Sequence, residues 1–241
     1  MLASVTTGIY GKLPLHGDFV HRNLPPGVIE AWDEWLQSFV AGSREQLGDS
    51  WLDVYLTSPI WHFCFSEGVL DNNAWLGVML PSVDRVGRYF PVSVLSQIPT
   101  NVNLFEYFEL QKSWFNAIEE LLFSSLDGEL DIDELLAEIH QVALVKSSMY
   151  KKNPAQPVES AAVVNFEFEE QSPNLALPYL LDSFLSSSLR SYSLWRTMGS
   201  ERVAPCVTIS QNLPRMGGVA AMIDGNWDHW NWPTPYSLNT Q

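Results

Sequence analysis

Cysteine is scarce in this chain of 241 residues: there are two, Cys64 and Cys206, far apart and each in an apolar run. Thiols so placed read as buried free cysteines of a reducing compartment rather than as a disulfide framework. Basic side chains are also few, 13 against 28 acidic, which leaves a net charge of −15. That balance argues against nonspecific binding to nucleic acid or to an anionic membrane, since both draw on surface cations. It favours solubility and, at most, one local basic patch. No apolar run approaches the roughly 20 residues of a membrane span. The start, Met-Leu-Ala-Ser-Val-Thr-Thr-Gly, has neither the basic nor the apolar segment of a signal peptide. No membrane insertion is expected, and the expected location is cytoplasmic.

Motifs of small-molecule chemistry are missing as well. There is no Gly-x-x-x-x-Gly-Lys, no Gly-x-Gly-x-x-Gly and no Gly-x-Ser-x-Gly. His16 and His21 lie five apart with Asp18 between them, which is not a specific ligand spacing, and a loop histidine bonded to backbone is the simpler reading. His62, His140 and His229 have no cysteine or second histidine at useful spacing. Glu129, Asp131, Asp133 and Glu134 form an acidic cluster, but it lies at a helix start, where carboxylates cap and complement the dipole. The expectation is therefore no catalytic residues, no metal and no cofactor. A dispersed active site would escape such a scan.

What is present is a globular composition, 46% apolar and 12% aromatic with ten tryptophans. The chain is organised around Trp75–Val94. Two β-prone runs, Ala74–Leu80 and Pro91–Leu95, flank the segment Ser82–Phe90, and their continuous Trp, Leu, Val and Met reads as buried strand. Ile60–Phe65 precedes them across a turn, so a three-strand antiparallel meander is expected. Gly8–Lys12 is a further strand candidate. Pro25-Pro26 opens a helix whose apolar face runs from Val28 through Trp32, Trp35, Leu36 and Phe39 to Val40, stopped by Gly48. Trp51–Leu56 adds another helical turn or two.

Beyond Pro99, Asn103 with Glu106 marks a helix start whose face is Leu104, Phe108, Phe115, Ile118 and Leu122. Asp131 with Glu134 marks the next, faced by Leu135, Leu136, Ile139 and Val142. Lys151–Val158, with two prolines, is a linker candidate and Ala161–Phe168 a strand. Pro178–Leu189 reads as a helix faced by Leu181, Phe184 and Leu185, Tyr192–Arg196 and Pro205–Ile209 as strands, and Gly217–Ile223 as ambiguous. The pattern predicts an α/β chain with α+β tendency: a mixed, largely antiparallel sheet layered with helices. An N-terminal lobe, 1–150, and a C-terminal α/β lobe, 151–241, are expected to pack as one unit.

The charged groups singled out are Lys12, Asp18, Asp84, Arg85 and Arg88, with Gly87 placed for a turn. Asp84 reads either as a turn residue bonded to backbone or Arg85, or as part of a contact surface. In the second reading Arg85 and Arg88 form a guanidinium pair on a loop held by two rigid strands, able to grip a carboxylate or phosphate of a partner. The tail tryptophans, Trp227, Trp230 and Trp232, either dock on the body or anchor an interface.

These residues carry a family resemblance. Gly11-Lys-Leu-Pro-x-x-Gly-Asp-Phe19, Trp32-Asp-x-Trp-Leu36, Ser43-Arg44 with Leu47-Gly48 and Trp51, Pro59-x-Trp61-x-Phe63, and Pro81-Ser-Val-Asp-Arg-Val-Gly-Arg-Tyr-Phe-Pro91 all match. So do Ser193-Leu194-Trp195, Gly199-Ser200, Leu213-Pro214 and Asp224-Gly225-Asn226-Trp227. Together they resemble the TagF (ImpM) family of type VI secretion-associated proteins; Arg196 departs from it, standing where the family pattern has a second tryptophan. The resemblance implies a sheet of longin or profilin-like character. It also implies a cytoplasmic negative regulator that restrains secretion after translation by binding an Fha-type forkhead-associated scaffold. A phosphatase acting on the phosphorylated scaffold and a structural subunit of the apparatus are the rival readings. The oligomeric state is left open.

Overall fold

The structure, a computed structural model, describes residues 6–145 and 176–237. Its centre is one seven-stranded sheet: β1 (Thr7–Gly11), β2 (Val20–Arg22), β3 (Trp61–Phe65), β4 (Ala74–Leu80), β5 (Val92–Ile98), β6 (Tyr192–Thr197) and β7 (Cys206–Gln211). The spatial order is β2-β1-β5-β4-β3-β6-β7, and every pair of neighbours is antiparallel. The expected meander is β3-β4-β5. The strand expected at Pro91–Leu95 begins one residue later and runs on to Ile98, because Ser96 and Ile98 still pair with Leu76 and Ala74. The short β2 was not foreseen; three residues carry too little pattern to announce a strand.

The sheet is covered on both faces, which is why its central strands are apolar without alternation. Alternate residues of β4 divide between two cores: Leu76, Val78 and Leu80 on one side, Trp75 and Met79 on the other. The first side is closed by α3 (Leu104–Leu110), α4 (Lys112–Leu126), α5 (Ile132–Gln141) and α6 (Leu177–Leu189). The second is closed by α1 (Pro26–Leu47), α2 (Trp51–Leu56) and α7 (Ala221–Asp224). On that side Trp32 and Trp195 each pack against the rings of Trp35 and Phe63 and against each other at 5.1–6.3 Å, so helix α1 is bolted to strands from both halves of the chain.

Local signals set the helix limits. Pro26 sits at the first turn of α1, and Gly48 ends it with φ 55°. Asn103 accepts the Glu106 N–H at 2.9 Å. Asp131 and Glu134 form a reciprocal capping box on α5. Some expectations gave way. The single helix drawn through Leu104–Leu122 is two, broken at Gln111, whose buried amide bonds to both Val145 N and O. On α6 only Leu185 of the expected face packs inward; Leu181 and Phe184 are exposed. Gly217–Ile223 is a 3₁₀ turn followed by α7.

The strands either side of the 150/151 boundary stand in one sheet, β6 pairing with β3, and Trp195, Val219 and Met222 share a core with Trp32 and Phe63. The tail tryptophans dock on the body: Trp232 Nε1 donates to Gly218 O at 2.9 Å and Trp230 Nε1 to Asp224 Oδ2 at 2.7 Å. Both cysteines are free, Cys64 buried and Cys206 half-buried. The linker candidate Lys151–Val158 and the strand candidate Ala161–Phe168 lie outside the described residues. No described helix is long and apolar enough to cross a membrane.

Candidate functional site

Strands β1, β5 and β4 are neighbours in the sheet, so the loops leaving the same end of them meet. One loop follows β1, Lys12–Phe19; the other joins β4 to β5, residues 81–91. Gly11 and Leu80 both pair with Val92, which puts the two loop bases side by side.

Asp84 ties the loops together. Its Oδ2 accepts from Lys12 Nζ at 2.5 Å and from Arg88 Nε at 2.6 Å. Its Oδ1 accepts from the backbone N–H groups of Val86 at 3.0 Å and Arg88 at 2.9 Å. Gly87, at φ 86°, supplies the left-handed turn that folds Arg88 back toward Asp84. The Asp84 side chain is fully buried and Lys12 is 5% exposed. Burial by itself would push the Asp84 carboxyl up. The Lys12 ammonium, the Arg88 N–H and guanidinium and the Val86 N–H overcome that and hold it well below the usual carboxylate range.

A second set of bonds fixes the loop from below. Ser82 Oγ donates to Lys12 O at 2.6 Å. Tyr55 OH donates to Ser82 O and accepts from Ser82 N. Burial pushes the Tyr55 phenol well above its ordinary value, so it stays a neutral donor. Tyr55 stacks on Trp51 at 4.8 Å; Arg44 lies over the Trp51 ring at 4.2 Å, and Ser43 Oγ accepts from Trp51 Nε1 at 2.9 Å. Residues 43–55 are thus a prop running from α1 through α2 to the loop. Sequence reasoning missed this. The one available signal was the i, i+4 spacing of Trp51 and Tyr55 on a single helix face.

What the scaffold presents is narrower than the five charged residues first grouped. Lys12 and Asp84 are interior and cannot touch a partner; their charges hold the loop. Arg88 is half-engaged: Nε is spent on Asp84, and Nη2 donates to Gly17 O. Its 3.6 Å approach to Asp18 joins two solvent-exposed side chains, a pairing that contributes little. Arg85 is different. Its backbone N–H is bonded to His16 O at 2.9 Å, but its guanidinium lies exposed beside Gly17, with no hydrogen bond or ion pair. The expected Asp84–Arg85 ion pair does not form; Lys12 and Arg88 take its place. Val86, 65% exposed, and Phe19, 43% exposed, complete the presented surface. Phe19 is held edge-on to Phe90 at 4.8 Å and under Lys12 Nζ, also at 4.8 Å.

The other candidates do not assemble. His16 bonds through its main chain, while its ring Nε2 is buried without a partner. Among the described residues no three His, Cys, Asp or Glu side chains are grouped so as to hold a metal ion. His62 is engaged on both ring nitrogens, with Glu119 and with Arg196 Nη2, and stacks on Phe115 at 4.4 Å.

The TagF N-terminal domain family, type VI secretion system-associated, matches residues 8–142, which include both loops and the prop. A crystal structure of PA0076 from Pseudomonas aeruginosa PAO1 is similar over 98% of this chain and 100% of that one, with 31% sequence identity and a TM-score of 0.77. Among curated proteins none matches.

Proposed function

The chain belongs to the TagF family of type VI secretion-associated proteins, and from that premise we propose that it is a cytoplasmic, non-enzymatic negative regulator. It acts by binding an Fha-type forkhead-associated scaffold protein through the corner formed by the loops after β1 and β4. One observation carries the reading: an unpaired, exposed guanidinium, Arg85, on a loop that a buried Lys12–Asp84–Arg88 cluster holds rigid.

The physical logic is preorganisation. A loop already fixed loses little conformational freedom on binding, so more of its contact energy appears as affinity. Arginine and aromatic groups at the centre of an interface dominate such energies. Arg85 offers a forked donor, the free edge of Arg88 a second, and Phe19 and Val86 apolar area beside them. A carboxylate-bearing or phosphorylated segment of the scaffold fits that chemistry. Binding there restrains assembly of the secretion machine.

The test is calorimetric titration of the scaffold protein with wild type and with an Arg85→Glu, Val86→Asp double variant. Both positions are exposed, so the variant is expected to fold as wild type. Affinity is expected to fall about a hundredfold, the scale of a hot-spot loss. An unchanged affinity in a folded variant would remove this corner as the binding surface.

A further inference from the structure

Arg85 is a single free cation in acidic surroundings. Its guanidinium rests against Gly17, with Nη2 3.4 Å from the position a Cβ there would take. The next residue is Asp18, whose carboxylate is fully exposed and approaches only Arg88 Nη2, at 3.6 Å. On the other side of the same loop, Leu15 Cδ2 stands 3.6 Å from where Gly128 would carry a Cβ, so the turn between α4 and α5 adjoins the corner. That turn bears Asp127 and Glu129, both exposed and neither in an ion pair among the described residues. Beneath Phe19, Tyr10 stacks at 5.9 Å and donates to Asp33 of α1.

The neighbouring cations are already engaged. Lys12 is interior, Arg44 lies over Trp51, and Arg22 meets Asp133 at 3.5 Å. Arg88 gives Nε to Asp84 and shares Nη2 between Gly17 O and Asp18. Lys12 and Arg88 are thus balanced by Asp84 and Asp18, and Arg85 remains as one net positive charge. One such charge matches one carboxylate, which a guanidinium grips with two parallel bonds. A phosphate monoester carries about −1.5 to −2 near neutral pH, and the excess would face Asp18 rather than a cation. Like charges so opposed across an interface cost affinity.

We propose that the occupant of this corner is a protein segment with one acidic side chain set among basic ones, and not a phosphorylated segment. Its carboxylate takes the Arg85 fork, an apolar neighbour lies on Val86 and Phe19, and a lysine or arginine beside it meets Asp18. The arrangement selects by repulsion as well as attraction. A wholly acidic segment opposes Asp18, Asp127 and Glu129, and a wholly basic one opposes Arg85. This inference rests on the corner being the binding surface, as proposed above.

Calorimetric titration of the scaffold protein tests it. Arg85→Glu with Val86→Asp reports whether the corner binds at all; Asp18→Lys and Asp18→Asn report what it binds. The Asp18 side chain is fully exposed and its one approach is long, so both variants are expected to fold as wild type. Asp18→Lys is expected to weaken binding about tenfold and Asp18→Asn about threefold. Phosphatase treatment of the scaffold is expected to leave the affinity unchanged. Equal or tighter binding by Asp18→Lys, or a loss on phosphatase treatment, while the Arg85–Val86 variant is defective, would overturn the choice of occupant and leave the corner as the surface. Unchanged affinity of the Arg85–Val86 variant would remove the corner, and this inference with it.

Discussion

At the scale of single residues, the chain shows how the same charge serves two ends according to burial. Lys12, Asp84, Arg85 and Arg88 are indistinguishable in sequence as candidate contact groups, yet only Arg85 is wholly free to meet a partner. The difference is desolvation: an interior carboxylate is tolerated only when every lone pair is matched, and Asp84 is matched by two cations and two backbone N–H groups. A pH dependence results. The folded Asp84 carboxyl titrates below its unfolded value of about 3.9. Its stabilising contribution is therefore complete above that pH and is lost as pH falls through it toward the folded value. Replacing Lys12 by methionine removes the strongest of the interactions that lower it. The Lys12→Met protein is expected to unfold in acid at a higher pH than wild type, as followed by circular dichroism. Coincident acid transitions would show that the pair does not hold the loop.

At the scale of elements, start and stop signals were legible wherever a side chain satisfies a helix end. Pro26, Gly48, Asn103 and the Asp131–Glu134 box each do in the fold what their spacing announces. Faces were less legible, because periodicity marks which side is apolar but not whether anything covers it. Leu181 and Phe184 on α6 show this: their spacing is helical and their positions are exposed. Gly77 in β4 shows the converse, a requirement invisible in pattern. A Cβ there would lie 2.3 Å from Val94 O and 2.4 Å from the Phe63 ring. Both atoms are held, one in the ladder and one in the aromatic core. Gly77→Ala is expected to cost about 1–3 kcal/mol, measured by urea unfolding. A variant as stable as wild type would mean that β3 and β4 can part without loss.

At the scale of the whole molecule, the notable feature is that strands from distant parts of the sequence complete one sheet. The edge pair β6-β7 is added to β3, and Trp195 enters the ring cluster begun by Trp32 and Trp35. A sheet so shared, with one aromatic core spanning both halves, is expected to unfold as a unit. Denaturant curves followed by tryptophan fluorescence and by far-ultraviolet circular dichroism are expected to coincide. Two separated transitions would mean that the C-terminal strands form an independent unit.

The sequence by itself determined the class of the molecule, the starts of α1, α3 and α5, its three-strand meander and, through the resemblance of its motifs to those of TagF proteins, its family, because these depend on local chemistry and near-neighbour spacing. Only the tertiary structure decided that Lys12 and Asp84 are interior, that Tyr55 props the loop, and that β6 pairs with β3. Those facts depend on which distant backbone comes to lie alongside, and that is settled by pairing across the sheet rather than by anything written next to the residues themselves.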